Sequence, residues 1–91
     1  MADTIARALV EGNAAACVNY GVPGIVSIYR WKGELERDYE VQLIIKTTLA
    51  RVAEVERVIK QHHPHDVPEI IALPIVAGSE PYLTWVRESV R

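Results

Sequence analysis

The stretch that decides the fold runs from Ile25 to Trp31, with the sequence Ile-Val-Ser-Ile-Tyr-Arg-Trp, and Lys32-Gly33 follow it directly. β-Branched and aromatic residues dominate this stretch, which is typical of a β-strand, and Lys32-Gly33 favour a hairpin turn. The strand that returns from the turn has an apolar side formed by Tyr39, Val41, Leu43 and Ile45. A period of two predicts a strand with one buried face. The sequence therefore predicts an antiparallel β-hairpin.

Helical patterns flank this hairpin on both sides. A first helix is predicted between Asp3, its N-cap, and Gly12, which ends it. A second helix is predicted from about residue 49 to residue 61, with Thr48 as its N-cap and with apolar residues along one stripe. A last helix opens at Pro81, since proline is favoured in the first turn of a helix.

Two further segments are predicted to be extended. Residues 14–18 form a run of small residues, and Pro23-Gly24 mark a bend before the hairpin. Residues 70–76 predict a short buried strand, in which Pro74 must lie at an edge or a bend because it lacks an N–H. Helices and antiparallel strands in this order predict an α+β sandwich. One more strand before the first helix would complete a ferredoxin-like unit.

Length and composition limit the classes of function. A chain of 91 residues predicts one domain over residues 1–91, and so small a domain favours association. A net charge of −2 argues against a nucleic-acid partner, whose binders carry a basic face. No apolar run is long enough to span a membrane, and residues 1–4 do not resemble a signal peptide. One cysteine cannot form an internal disulfide, so we expect a cytoplasmic protein.

All three histidines fall within four positions of one short segment, His62-His63-Pro64-His65-Asp66-Val67-Pro68-Glu69. Imidazole is a ligand for Cu(II) and Zn(II), so the segment suggests a metal site. Neighbours at a helix end point in different directions, so a closed site needs more ligands from His65, Asp66, Glu69 or another subunit. The alternative is that His62 and His63 cover the last carbonyls of the second helix, where a cationic ring is favoured.

These motifs, taken in order, resemble the CutA-type divalent-cation tolerance proteins. The resemblance extends over nearly the whole chain from Thr4 onward, and no single motif in it is specific alone. It is carried by residues 15–19, 23–33, 40–47, His63-Pro64, 67–74, Gly78 and Tyr82-Leu83-Thr84-Trp85.

The resemblance implies a ferredoxin-like subunit in a tight homotrimer, with long hairpins pairing between subunits and an architecture like that of PII signalling proteins. It implies a protein that binds or responds to copper and other divalent cations and is not an enzyme. His62 and His63 match family positions associated with copper. The alternative function is a PII-like signalling or scaffolding trimer that binds a small ligand in the clefts between subunits.

The chain departs from the family pattern at two places. Family members usually begin with an apolar strand before the first helix, and that first strand is absent here. The strand is central in ferredoxin-like sheets and in some members carries a cysteine implicated in metal binding. In addition, His65 stands where the family usually has tyrosine, which adds a ligand or replaces one amphipathic ring by another.

Other reactive side chains support weaker hypotheses. Cys17 lies among alanines without a basic neighbour in sequence, which favours a buried small hydrophobe over a reactive thiolate. Lys46 and Glu40 share the polar side of the returning strand, facing Tyr29 and Trp31. That side is predicted either to line a cleft for a small anion or to form a salt bridge between subunits.

Overall fold

The computed structural model describes residues 1–21, 24–64 and 67–91. Within these residues, strands that pair antiparallel follow the first helix, and further helices follow the strands, which confirms the predicted α+β class. The elements are α1 (Ala2–Glu11), β1 (Cys17–Tyr20), β2 (Ile25–Trp31), β3 (Glu34–Glu40), β4 (Leu43–Lys46), a 3-10 turn (Leu49–Arg51), α2 (Val52–His62) and α3 (Glu80–Ser89). None of the helices in this part of the chain combines the length and apolar character that a bilayer crossing requires.

Helix α1 ends where the sequence predicts, but it begins earlier. The backbone N–H of Gly12 donates to the carbonyl oxygen of Ala8 at 3.0 Å, which closes the last turn. The predicted N-cap at Asp3 is wrong, because the helix starts at Ala2 and Asp3 lies in its first turn. There the Asp3 carboxylate accepts a bond of 2.6 Å from Arg7 and one of 2.7 Å from the Tyr20 hydroxyl, so it links α1 to β1.

Strands β2 and β3 form the predicted hairpin. They pair antiparallel over their whole length, from Ile25 opposite Glu40 to Trp31 opposite Glu34. Lys32 and Gly33 have φ values of 50° and 84°. Two consecutive left-handed residues give the tight turn whose twist matches that of paired strands.

The strand that returns from the hairpin divides into two strands that belong to different sheets. After β3 ends at Glu40, residues 41 and 42 leave the ladder, and β4 pairs antiparallel with β1. Alternation alone cannot reveal this division, because two skipped residues preserve the period of two. Leu43 and Ile45 accordingly face the core, whereas Tyr39 is 75% exposed.

The core lies where α1 and α2 pack on one face of the β1–β4 pair. Leu9 is fully buried at its centre, and the small side chains of Ala14 and Ala15 let the chain pass close beneath α1. The backbone N–H groups of both alanines donate to the carbonyl oxygen of Leu9, at 3.0 and 3.2 Å. The other buried members of this cluster are Ile5, Val55, Val58 and Ile59.

Two predicted elements in the second half of the chain differ from the structure. The predicted second helix begins as the 3-10 turn after Thr48 and becomes α-helical only at Val52, and it ends at His62. The predicted buried strand over residues 70–76 is wrong, because this segment pairs with neither sheet and only Ile70 packs against the core. A strand needs a neighbour for its ladder, which apolar composition alone cannot supply.

Gly24 sits where the backbone of one segment approaches another, and this generates a stability prediction. Its φ is 109°, and a Cβ atom at this position would overlap the carbonyl oxygen of Glu40. We expect Gly24→Ala to lower the free energy of unfolding by about 1–3 kcal/mol. Alanine is strained at this φ, and its Cβ atom would push the backbone at position 24 away from Glu40. Thermal denaturation at fixed protein concentration measures the effect.

Gly21→Ala is the matched control, because a Cβ atom there meets no atom within 4 Å. Gly33 is an intermediate case, because it has a positive φ of 84° like Gly24 but, like Gly21, has no atom near the position of a Cβ atom. Equal melting temperatures for the variants at positions 21 and 24 would contradict the role assigned to the close approach.

Candidate functional site

His62 is the last residue of α2, and its ring is fixed by the helix itself. Its Nδ1 lies 2.9 Å from the carbonyl oxygen of Val58, one turn earlier. A carbonyl oxygen can only accept, so Nδ1 carries the hydrogen and donates. In the neutral ring the lone pair then resides on Nε2, and the side chain is exposed. His62 therefore presents one nitrogen that can bind a cation.

His63 follows in a different backbone conformation. It is the C-cap of α2, with extended φ and ψ values of −99° and 128°, and it is half-buried. Consecutive side chains that leave helical and extended backbone diverge, as predicted for neighbours at a helix end. The assignment of His62 and His63 as metal ligands remains a prediction.

The acidic residues near the histidines do not complete a metal site within the described part of the chain. No group of three or more histidine, cysteine, aspartate or glutamate side chains that could hold a metal ion occurs in residues 1–21, 24–64 and 67–91. The proposed third ligands His65 and Asp66 lie outside these residues, and Glu69 is exposed. A closed site would need donors from His65, Asp66, solvent or another copy of the chain.

A small cleft of about 160 Å³ lies beside the end of α2. Glu56 and Lys60 line it and form an ion pair of 2.8 Å, and Val67, Pro68 and Ile70 complete it. Sequence reasoning did not select Glu56 as a carboxylate near the histidine segment. Helical spacing could not have shown it, because α2 ends at His62 and His63 has an extended backbone.

Cys17 is half-buried and lies directly opposite Lys46 in the β1–β4 register. Cys17 is therefore less buried than predicted. Its Sγ lies 4.0 Å from the Oδ1 of Asn19, the next residue on the same side of β1. Cys17 has no basic neighbour in sequence, but Lys46 is its partner on the adjacent strand. Only the register of the two strands reveals this pairing.

Lys46 and Glu40 do not form a pair within the chain. Glu40 ends β3 and Lys46 ends β4, so they belong to different sheets. Lys46 is half-buried, and no carboxylate within the described residues lies in ion-pair contact with its ammonium group. Glu40 is opposite Ile25, and Ile25 lies on the same side of β2 as Tyr29 and Trp31 because side chains alternate along a strand. The predicted grouping of Glu40 with Tyr29 and Trp31 on one hairpin face is therefore confirmed.

A second cleft, of about 340 Å³, lies at the junction of the two sheets. The polar residues that line it include Asn19 and Gln42, which sequence reasoning did not select. Nothing in the sequence indicates that Gln42 and Asn19 line the same cleft. The cleft is lined by Asn19, Tyr20, Gly21, Gly24, Ile25, Gln42 and Ile44.

The chain is similar in sequence to proteins of known family. Residues 1–89 match the family described as CutA1 divalent ion tolerance protein. The divalent-cation tolerance protein CutA of Thermus thermophilus is 52% identical over 89 residues, which are 98% of this chain and 85% of that protein. Protein CutA of Homo sapiens is 49% identical over 97% of this chain and 49% of its own length, so the chain spans about half of that relative.

Solved structures give the same relationship. The Thermus thermophilus Cut A1 structure has a TM-score of 0.94 at 51% identity and covers 99% of this chain and 86% of that one. A PII-like protein CutA from Nostoc has a TM-score of 0.88 at 32% identity, over 98% and 86% of the two chains. A structure from Archaeoglobus fulgidus, described as a periplasmic divalent cation tolerance protein, has a TM-score of 0.93 at 38% identity, over 99% and 86%.

The hairpin face that carries Tyr29 generates a titration prediction. The Tyr29 hydroxyl donates to the Asp38 carboxylate, and this hydrogen bond raises the pKa of Tyr29 to about 12. The protonated phenol is the favoured form in the fold. Its contribution to stability is therefore complete below the ordinary tyrosine pKa of about 10 and is lost as the pH rises through about 12. We expect Asp38→Ala to lower the pKa of Tyr29 toward 10.

Ultraviolet absorbance of tyrosinate measures this pKa. Since the chain has four tyrosines, a Tyr29→Phe difference titration assigns the signal. Glu34→Ala is the control, because Glu34 lies on the same face of β3 but opposite Trp31. A Tyr29 pKa that stays near 12 in Asp38→Ala would show that the hydrogen bond is not its cause.

Proposed function

Because the chain belongs to the CutA1 family of divalent ion tolerance proteins, we propose that it is a homotrimer that binds divalent cations, copper first. The imidazoles of His62 and His63 are the proposed protein ligands. The function is binding rather than turnover of a substrate. Residues 1–91 act as a single domain in the cytoplasm.

The hydrogen bond between His62 and Val58 is the observation that carries this proposal. Histidines that bind metals usually donate the other ring N–H to a carboxylate or a backbone carbonyl, which fixes the tautomer and the ring orientation. The 2.9 Å contact from Nδ1 to the Val58 carbonyl oxygen supplies this support before any metal arrives. Imidazole nitrogen is a donor that suits Cu(II).

The alternative reading of the same bond is purely structural. An exposed histidine ring at a helix C-terminus also covers one of the last carbonyls and favours the helix dipole. In both readings Nδ1 of His62 donates to the carbonyl oxygen of Val58. The readings differ only in whether Nε2 binds a cation. A cation bound there distinguishes them.

The copper proposal predicts a loss of affinity when the imidazoles are removed. In Cu(II) titrations followed by calorimetry, we expect His62→Ala and His63→Ala each to weaken binding by roughly 10- to 100-fold, since even outer partners of a metal ligand have effects of this size. The double variant should bind more weakly than either single variant.

Gln61→Ala is the matched control, because Gln61 is exposed on the last turn of the same helix and has no imidazole. Circular dichroism of each variant shows whether α2 is retained. Affinity that is equal in the wild type and the double variant would overturn the assignment of these ligands.

Exposed apolar side chains support the homotrimer. On the hairpin, Ile28 is 67% exposed and Leu35 is 70% exposed, and both belong to strands of seven residues. In the segment over residues 71–76, Leu73 is 82% exposed. Apolar surface on this scale in a small domain favours association with other copies, which removes it from water.

The trimer predicts a sedimentation mass of three times the 10.2 kDa subunit. We expect Ile28→Lys to reduce that mass, because a charge would be buried where copies meet. Leu49→Lys is the control, since Leu49 is 88% exposed but lies on the 3-10 turn. A wild-type mass of one subunit would contradict the trimer.

The second candidate function is a PII-like trimer that binds a small ligand. Two observations favour it: Lys46 is half-buried, and a cleft of about 340 Å³ lies at the junction of the sheets. The Nostoc relative, which is called PII-like, has the same fold. This function would use different residues from those of the copper site.

A further inference from the structure

We propose that copies of the chain meet through unlike faces of their β2–β3 hairpins, the acidic face of one hairpin lying against the arginine-bearing face of the next. The inference rests on the proposed homotrimer and is independent of the copper ligands. It names the surface that each copy offers, the partner that fits this surface, and the charges that determine how the copies are ordered.

The two faces of the hairpin differ in charge. Residues directly opposite each other in the ladder share a face, and successive rows alternate between the faces. Every second residue of β3 is therefore a carboxylate on the same face as Tyr29 and Trp31 of β2. We call this the acidic face, and its charged residues are Glu34, Glu36, Asp38 and Glu40. Neither strand places a basic residue on it.

The opposite face carries only positive charge. Arg37 lies opposite Ile28, and Arg30 lies opposite Leu35 in the next row of that face, closer to the turn. We call this the basic face, and neither strand places a carboxylate on it. Ile28 and Leu35 give it exposed apolar area beside the arginines. In a contact between copies, Ile28 belongs to this apolar part, where any charge would lose its hydration.

The charges of both faces lack counterions within the part of the chain that the structure describes. None of the four carboxylates of the acidic face forms an ion pair there, and neither arginine of the basic face does. Arg30 donates to the carbonyl oxygen of Gly33 at 3.2 Å, and Arg37 lies 5.1 Å from the centre of the Tyr39 ring. Like charges on one face repel each other, so a surface of opposite charge would stabilise both faces.

A second copy of the chain supplies the surface that the acidic face needs. Arg30 and Arg37 lie two rows apart, and consecutive carboxylates of β3 are also two residues apart. Along the hairpin, both sets therefore repeat at about 6.7 Å. Two arginines of one copy can face two carboxylates of another at the same time. Tyr29 and Trp31 are exposed among these carboxylates, and guanidinium groups pack on aromatic rings as well as on carboxylates.

The separation of charge also determines how the copies are ordered. Two hairpins that met face to face about a twofold axis would bring like faces together, and like charges would repel. Contact between unlike faces is head-to-tail, and head-to-tail contacts close into a ring. A ring of three gives every acidic face a basic partner. The charges of the hairpin therefore favour a ring such as the trimer over a twofold dimer.

Charge reversal on each face tests the inference. We expect Arg30→Glu/Arg37→Glu and, separately, Glu34→Arg/Glu36→Arg to weaken association by about 10- to 100-fold in sedimentation equilibrium, since like charges would then meet at every contact. The four substitutions together exchange the signs of the two faces, so we expect them to recover most of this loss. Arg30→Lys/Arg37→Lys keeps the charge and should retain association.

Arg57→Glu/Arg87→Glu is the matched control for the first variant, because it changes the net charge equally but lies on α2 and α3. Circular dichroism shows whether each variant keeps the fold. Ionic strength gives a second readout that loss of folding would not reproduce. Added NaCl should weaken the wild-type trimer, because salt screens attraction, and should strengthen association of each single-face variant, because salt screens repulsion.

The outcomes separate the inference from the trimer on which it rests. A trimer that neither single-face variant weakens, or a loss that the four substitutions do not recover, would overturn the inference and leave the trimer. Loss of association in Arg30→Glu/Arg37→Glu alone would also overturn it, and would leave the acidic face for a basic partner of another kind. A wild-type mass of one subunit would overturn both.

Discussion

The pairing of β1 with β4 is the constraint on which the rest of the structure depends. It joins Cys17 to Lys46, residues that are far apart in the chain, and it gives the sheet one face for α1 and α2 and one face without them. The core forms on the first face, where Leu9 meets the alanines that precede β1. On the second face, Cys17 and Lys46 occupy paired positions of the two strands. Both the stability of the fold and the character of the open face therefore follow from one register.

The elements that the sequence predicts well are those with a local signal. The turn at Lys32-Gly33 is fixed by left-handed backbone, which Gly33 adopts without strain. Helix α1 also ends at Gly12 as predicted, but Gly12 has a φ of −84° and the left-handed residue is Asn13, with a φ of 61°. The division after Glu40 has no such signal, because the alternation continues across it. The segment over residues 70–76 fails for a related reason, since a strand is defined by its neighbour and the neighbour is not written in the local sequence.

The candidate sites show the same limit. The histidine segment is visible in the sequence, but the orientation of His62 depends on a carbonyl that the helix brings within reach. The pairing of Cys17 with Lys46 depends on the register of β1 and β4, and the presence of Asn19 and Gln42 in one cleft depends on the junction of the two sheets. Residue types thus suggested the chemistry, whereas their combinations required the fold. The family resemblance added the histidine assignment without its geometry.

The close approach of Gly24 to Glu40 sets the direction of the hairpin independently of the hairpin's side chains. Backbone meets backbone at this point, so no side chain of β2 or β3 takes part in the contact. Substitutions of outward-facing hairpin residues can therefore change the surface that the hairpin offers without changing this contact. The glycine determines where the hairpin leaves the core, whereas the side chains beyond it determine what the hairpin can bind.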